Sequence, residues 1–107
     1  MRATQTNQLA IRTHLTQPPH SVLLDARSHV HLYEAGGVAF HSQANSLAIT
    51  PTNGHHLTLE DIENNIVVGN DIHGAPTKIV ALENVRCRPQ KAPGPHLTGT
   101  FRRSRAW

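Results

Sequence analysis

The sequence predicts an α/β fold with parallel strands. Three short apolar segments alternate with segments of helical character, in the order α-β-α-β-α-β, before the pattern ends near Asn84. With 107 residues, the chain has room for one modest domain. Hydrophobic residues make up 37% of it and aromatic residues only 4%, so few large side chains are available to fill a core.

The first helix and strand are predicted before residue 25. Residues 4–15 form a helix that Thr4 or Thr6 can cap, and Pro18-Pro19 prevents its continuation. The apolar run Ser21–Leu24 is typical of a buried parallel strand. Asp25 to His29 then forms the loop at the carboxyl end of this strand, which is where ligands bind in open α/β sheets.

The second helix and strand follow in residues 33–50. Tyr33–Gln43 is predicted to be helical, although Gly36 and Gly37 each weaken a helix by about 1 kcal/mol relative to alanine. Ser46–Thr50 reads as the second strand, and the Pro-Thr-Asn-Gly sequence at 51–54 as a turn. Glycines kept at such a cost indicate the close approach of another backbone or of a ligand.

A capping box predicts the third helix. Thr58 and Asp61 have the spacing of this motif, with Asp in place of the usual Glu, so a helix is expected over Leu59–Asn65. Lys78–Leu82 is the third predicted strand.

Charge divides the chain near Asn84. Residues 1–84 carry four basic and seven acidic side chains, for a net charge of −3, whereas residues 85–107 carry six basic and none acidic, for +6. The basic segment also holds three of the seven prolines, so we expect a disordered tail at 85–107 beside a folded part at 1–84. Because Val85 is encoded by a codon beginning with GT, as an intron donor does, we expect this tail to be translated intron or out-of-frame sequence.

Composition favours a soluble, cytoplasmic protein. The single cysteine, Cys87, excludes an internal disulfide, and no apolar run approaches the length of a membrane span. Nine histidines raise the question of a metal site, but none has the spacing of a known metal motif. We therefore predict no metal site.

Several motifs in order resemble those of the threonine aldolases, which depend on pyridoxal 5'-phosphate (PLP). They are the run from Asp25 to Phe40 with its Glu-Ala-Gly-Gly element at 34–37, the Asp-Ile-His-Gly-Ala-Pro-Thr segment at 71–77, and Ala-Leu-Glu-Asn at 81–84. The resemblance implies part of the large domain of a PLP-dependent transferase, a three-layer sandwich of fold type I like that of aspartate aminotransferase. It also implies cleavage of L-threonine or L-allo-threonine to glycine and acetaldehyde.

The resemblance assigns roles to three side chains. His29 matches the histidine that stacks on the cofactor ring, and His73 matches a second histidine near the substrate hydroxyl. Thr4 matches the threonine of a Gly-Thr pair that holds the cofactor phosphate at a helix N-terminus, although Ala3 replaces the glycine. On the residues alone, a structural loop histidine is the favoured interpretation of His29, and Thr4 is an ordinary N-cap. For His73, a turn histidine is as good an interpretation as a functional one.

The lysine that attaches PLP in such enzymes is not expected in this chain. Lys78 begins a strand and Lys91 lies in the tail, so neither matches the family position, which lies further downstream. We therefore predict a fragment that is inactive alone. The alternatives are a non-catalytic partner of full-length aldolase subunits, which form oligomers, and a nucleic-acid binder that uses the basic tail.

Overall fold

A computed structural model describes residues 3–69 and 73–84, and the basic tail, Cys87 and Lys91 lie outside them. The predicted order of helices and strands is confirmed, with one additional short helix. In chain order the helices and strands are α1 (Ala3–His14), β1 (Ser21–Asp25), α2 (His29–Leu32), α3 (Gly37–Ser42), β2 (Asn45–Ile49), α4 (Leu59–Asn65) and β3 (Thr77–Ala81).

The three strands form one parallel sheet with β1 in the centre. The order is β2-β1-β3, and β1 pairs in parallel with both neighbours. Val22, Leu23 and Leu24 are fully buried, as expected of a strand that is covered on both faces. The three predicted strands are therefore confirmed, each to within one residue at its ends.

The core lies between α1 and the sheet. Ile11 on α1 and Leu15, which follows the last residue of α1, are 6% and 1% exposed and pack in one apolar cluster with Val22 and Leu24. Val30 and Val38 extend this cluster toward α2 and α3. Each fully buried side chain of this size contributes about 1.5–3 kcal/mol, so this cluster fixes the position of α1 over the sheet.

Two helix predictions are wrong. The segment Tyr33–Gln43 is not one helix, because Ala35 and Gly36 have left-handed backbones, with φ of 53° and 71°, and these interrupt it before α3. Thr4 and Thr6 do not cap α1, since both lie inside it.

The capping box of α4 is confirmed. The Thr58 hydroxyl accepts a hydrogen bond from the Asp61 amide, and the Asp61 carboxylate accepts one from the Thr58 amide. Asp61 also accepts hydrogen bonds from the amide and hydroxyl of Thr52, which ties the loop after β2 to the start of α4. The Asp61 side chain thus orders both the helix and the loop that precedes it.

Lys78 lies at the amino end of β3. It is the extra residue of a bulge in the pairing with β1, because Ser21 pairs with Thr77 and Val22 with Ile79. The strand carries it at the edge of the sheet opposite to its carboxyl ends, and its side chain is exposed. None of the helices in the described part of the chain has the length and apolarity needed to cross a membrane.

Candidate functional site

The candidate site is a cleft at the carboxyl ends of β1 and β3. Its volume is about 470 Å³, within the usual range for small-molecule pockets. His29 and Val30, which follow β1, line it together with the chain that leaves β3 at 81–84. In sheets of order 2-1-3, the strand order reverses between β1 and β3, and ligands bind at the carboxyl ends of those two strands.

The backbone of His29 is fixed by Glu83. The Glu83 carboxylate accepts hydrogen bonds from the amide of His29 at 2.8 Å and from that of Val30 at 3.1 Å. Both amides lie in the first turn of α2, where the helix itself offers them no acceptor. A carboxylate is well suited to accept hydrogen bonds from such amides. Glu83 thereby joins the end of β3 to the start of α2 across the cleft.

The imidazole ring of His29 is fixed by Glu34. Its Nδ1 lies 3.0 Å from the Glu34 carboxylate oxygen, and the Tyr33 ring lies 5.7 Å away between centroids, tilted by 37°. The His29 side chain remains 42% exposed and lines the cleft, whereas the Glu34 side chain is fully buried. His29 is therefore held from the protein side and open on the cleft side.

Glu34 is a buried carboxylate with three side-chain donors. Besides His29, it accepts hydrogen bonds from Asn7 at 2.7 Å and from Gln8 at 2.5 Å, both on α1. Burial alone would raise the pKa of Glu34, but the hydrogen bonds from Asn7, Gln8 and His29 outweigh it and lower the pKa below its ordinary value. The carboxylate is therefore ionised at neutral pH.

One face of α1 forms another wall of the same cleft. Ala3, Asn7 and Ala10 lie at helical spacing along this wall, and Thr4 lies in the first turn beside Ala3. The first turn carries no acidic side chain, so nothing there opposes an anion near the helix N-terminus. The start of a helix and an imidazole thus lie along one cleft, which is compatible with the phosphate and the ring of PLP, although Thr4 itself is not among the residues that line the cleft.

His73 is separate from this group in the fold. It is exposed and lies four residues before β3, where the chain approaches the amino end of that strand. His29 instead follows the carboxyl end of β1. The two predicted site histidines thus enter from opposite ends of the parallel sheet.

The other histidines of the described residues do not form a metal site. Residues 3–69 and 73–84 contain no group of three or more His, Cys, Asp or Glu side chains that could hold a metal ion. His20 is buried, and its ring nitrogens lie 3.1 Å from the Gln17 carbonyl and 2.7 Å from the Ser42 carbonyl. His20 therefore has a structural role between α1 and α3.

Comparison with known proteins assigns the chain to a family. A model of the beta-eliminating lyase family matches residues 1–87. The chain belongs to the beta-eliminating lyases. Members of this family depend on PLP in general.

The similar relatives of this beta-eliminating lyase include fungal threonine aldolases. It is 55% identical over 82 residues to the low-specificity L-threonine aldolase of Eremothecium gossypii, and 55% identical over 82 residues to that of Saccharomyces cerevisiae. It is 49% identical over 81 residues to the probable low-specificity L-threonine aldolase of Schizosaccharomyces pombe. Each match covers 76% of this chain but only 21–22% of the relative, so the chain spans about a fifth of the length of these proteins.

Sequence reasoning missed the carboxylates that hold His29. Glu34 and Glu83 were noted only as parts of motifs, with no contact assigned to either. The spacing of five between His29 and Glu34 does not match neighbours on one continuous helix, and Glu83 is 54 residues away in sequence. The available signal was that Glu34 and Glu83 each stand in a motif that resembles the threonine aldolases, Glu-Ala-Gly-Gly at 34–37 and Ala-Leu-Glu-Asn at 81–84.

A second feature that was missed is the fork between Arg27 and Asp25. Two guanidinium nitrogens of Arg27 contact the two Asp25 oxygens at 3.0 and 2.7 Å, and a third donates to the Gly54 carbonyl at 2.8 Å. The hydrogen bond with Asp25 raises the pKa of Arg27. This fork ties the loop after β1 to the loop after β2 at the carboxyl edge of the sheet.

Proposed function

We propose that this chain forms the part of a threonine aldolase large domain, of PLP-dependent fold type I, that covers one face of the cofactor ring. The observation that carries the proposal is His29, which lines the cleft and whose backbone and ring are each held by a carboxylate. The similarity to fungal L-threonine aldolases supports β-hydroxy amino acids such as L-threonine and L-allo-threonine as the substrate class.

The residues of the cleft then have distinct tasks. PLP supplies the electron-withdrawing system that weakens the bond to be broken. The flat imidazole of His29 would cover the ring of the cofactor. The hydrogen bond from this imidazole to Glu34 prevents the imidazole from turning away. Thr4 and the first amides of α1 hold the phosphate, as free amides at a helix N-terminus do.

His73 remains a candidate for proton transfer near the substrate hydroxyl. Histidine is the side chain most often used for proton transfer near neutral pH. Its position before β3, and not after a strand, favours His29 as the more important of the two. Replacing each with alanine in the same background separates them, since we expect the loss of the histidine nearer the reacting atoms to lower kcat more.

Catalysis requires segments beyond this cleft. Lys78 is exposed at the amino end of β3, about 10 Å of strand away from Ala81 at the cleft, and is therefore not placed to attach a cofactor there. In an intact enzyme, we propose that the attaching lysine and the groups that bind the substrate carboxylate come from the remaining four fifths of the protein.

A chimera tests the proposed function. Residues 3–84 replace the matching segment of the 55% identical Saccharomyces cerevisiae L-threonine aldolase, and acetaldehyde release from L-threonine and L-allo-threonine is measured. We expect the chimera to retain at least a tenth of the parent's kcat/KM and the isolated chain to show no turnover. A folded, PLP-loaded chimera without aldolase activity would contradict the proposal.

The edges of the sheet favour a second function, as a partner of full-length subunits. Within residues 3–69 and 73–84, both β2 and β3 are edge strands, and large apolar side chains near them are exposed, with Val68 at 84% and Leu82 at 69%. Co-expression of the tagged chain with an untagged aldolase of the family tests this function. Co-purification at a fixed stoichiometry supports it, and recovery of the chain alone rejects it.

A further inference from the structure

The geometry points to Glu34 as the positioning residue that sets the tautomer of His29, with Nδ1 protonated and Nε2 free to accept a hydrogen bond in the cleft. This inference rests on the proposed function for the importance of His29, because it concerns the same histidine. It goes further in assigning a role to a carboxylate that lies behind the cleft and touches neither cofactor nor substrate.

The first step is the chemistry of the contact. An ionised carboxylate has only acceptor oxygens, so the 3.0 Å approach of Nδ1 to Glu34 requires that Nδ1 carry the proton. The lowered pKa of Glu34 is consistent with an ionised carboxylate at neutral pH. In a neutral imidazole the other nitrogen, Nε2, is then the acceptor.

The second step is that Glu34 cannot move to follow the ring. Its two oxygens accept hydrogen bonds from Asn7 and Gln8, so its carboxylate plane is fixed by α1. Gln8 reaches this position by packing against Gly37, where a Cβ atom would lie only 2.7 Å from the Gln8 Cδ. The series of hydrogen bonds from α1 through Glu34 to His29 is therefore held in place at each contact.

The third step concerns the side of the ring that faces the cleft. Nδ1 is bonded to a buried group, yet the His29 side chain keeps 42% exposure, so its exposed part is the part of the ring away from Nδ1. The charged and titratable groups that contact this residue are Glu34 at the ring, Glu83 at the backbone amide and the neighbouring Tyr33 ring. Of these, only Glu34 accepts from the ring, so it alone determines which nitrogen keeps the proton.

Nitrogen-15 NMR of the histidine-labelled chain tests the inference directly. Two- and three-bond correlations from the ring protons report which nitrogen of a neutral imidazole is protonated, and His29→Ala assigns the signals. The variants are Glu34→Ala, which removes the acceptor, and Glu34→Gln, which keeps an acceptor oxygen of the same reach. His31, on the same short helix with an exposed side chain, is the internal control.

We expect His29 to be Nδ1-protonated by at least tenfold over the other tautomer in the unmodified chain. Glu34→Gln preserves this preference, whereas Glu34→Ala reverses it toward the Nε2-protonated form that imidazole favours in water, and His31 is unchanged in all. An Nε2-protonated His29 in the unmodified chain, or a preference unaltered by Glu34→Ala, overturns the inference. The unmodified chain is decisive by itself if Glu34→Ala fails to fold.

The chimera separates this inference from the proposed function. There, Glu34→Gln should retain most of kcat and Glu34→Ala should lose at least tenfold. An inactive parent chimera contradicts the proposed function but leaves the tautomer result standing. Full activity of Glu34→Ala with an intact fold shows instead that the tautomer does not matter for turnover, which overturns the positioning role.

Discussion

Replacing Gly37 with alanine should destabilise the fold by forcing Gln8 away from Glu34. A Cβ atom at Gly37 would lie 2.7 Å from the Gln8 Cδ and 3.0 Å from its amide nitrogen and oxygen. Contacts below 3.0 Å require a shift, and Gln8 is buried, so it has little room to move. Any shift of the Gln8 amide group disturbs its hydrogen bond to the Glu34 carboxylate.

The magnitude follows from two opposing contributions. Overpacking of this kind costs about 1–3 kcal/mol, and losing a hydrogen bond to a charged group costs about 1.5–3 kcal/mol if Gln8 moves instead. The alanine gains up to about 1 kcal/mol of helix propensity over glycine at the start of α3. The expected net loss in the free energy of unfolding is about 1–2 kcal/mol.

Urea unfolding followed by circular dichroism measures this loss. With a slope of about 1 kcal/mol per molar for a small domain, the midpoint should fall by about 1 M or more. A double-mutant cycle identifies the cause: in a Gln8→Ala background the obstruction is gone, so Gly37→Ala should become neutral or slightly stabilising. The same loss in both backgrounds would refute the reasoning.

Three further predictions concern the chain as expressed. Borohydride reduction after PLP addition should label no lysine stoichiometrically, because Lys78 lies at the opposite edge of the sheet; a single full-occupancy adduct at Lys78 on peptide mapping would contradict this. Stability should fall as the pH drops below about 4, because hydrogen bonds lower the pKa of the Glu34 and Asp61 carboxyls in the folded state. The unfolded state therefore binds more protons than the folded state in this range. Urea midpoints measured from pH 7 to 3 test this, and midpoints that do not change with pH would be inconsistent with it. The chain should also aggregate through the exposed edges of β2 and β3 as its concentration rises, and a chain that stays monomeric in sedimentation up to millimolar concentration would argue against this.

Local patterns were sufficient to predict most of the fold. The continuous apolar run at Val22–Leu24 predicted a strand buried on both faces, and the Thr58–Asp61 spacing predicted where α4 begins. In each of these cases the signal lies within about one turn or one strand of sequence.

The remaining features depend on tertiary contacts. The break at Ala35 and Gly36 was missed because glycine tolerates both helical and left-handed backbones, and here the left-handed turn directs Glu34 inward toward α1. The cleft was predicted only as a sheet edge, since Glu83 reaches His29 from 54 residues away. His29 was identified through the resemblance to the threonine aldolases, whereas the groups that orient it come from three separate segments of the chain.

The central claim is that His29 covers the ring of PLP in a threonine aldolase site. The most direct measurement compares PLP affinity and kcat of the chimera bearing His29→Ala with those of the chimera bearing His31→Ala, its exposed neighbour. The account predicts that His29→Ala weakens PLP binding and lowers kcat together, each by tenfold or more, while His31→Ala changes neither by more than about twofold. Unchanged PLP affinity and turnover in a folded His29→Ala chimera would contradict the account.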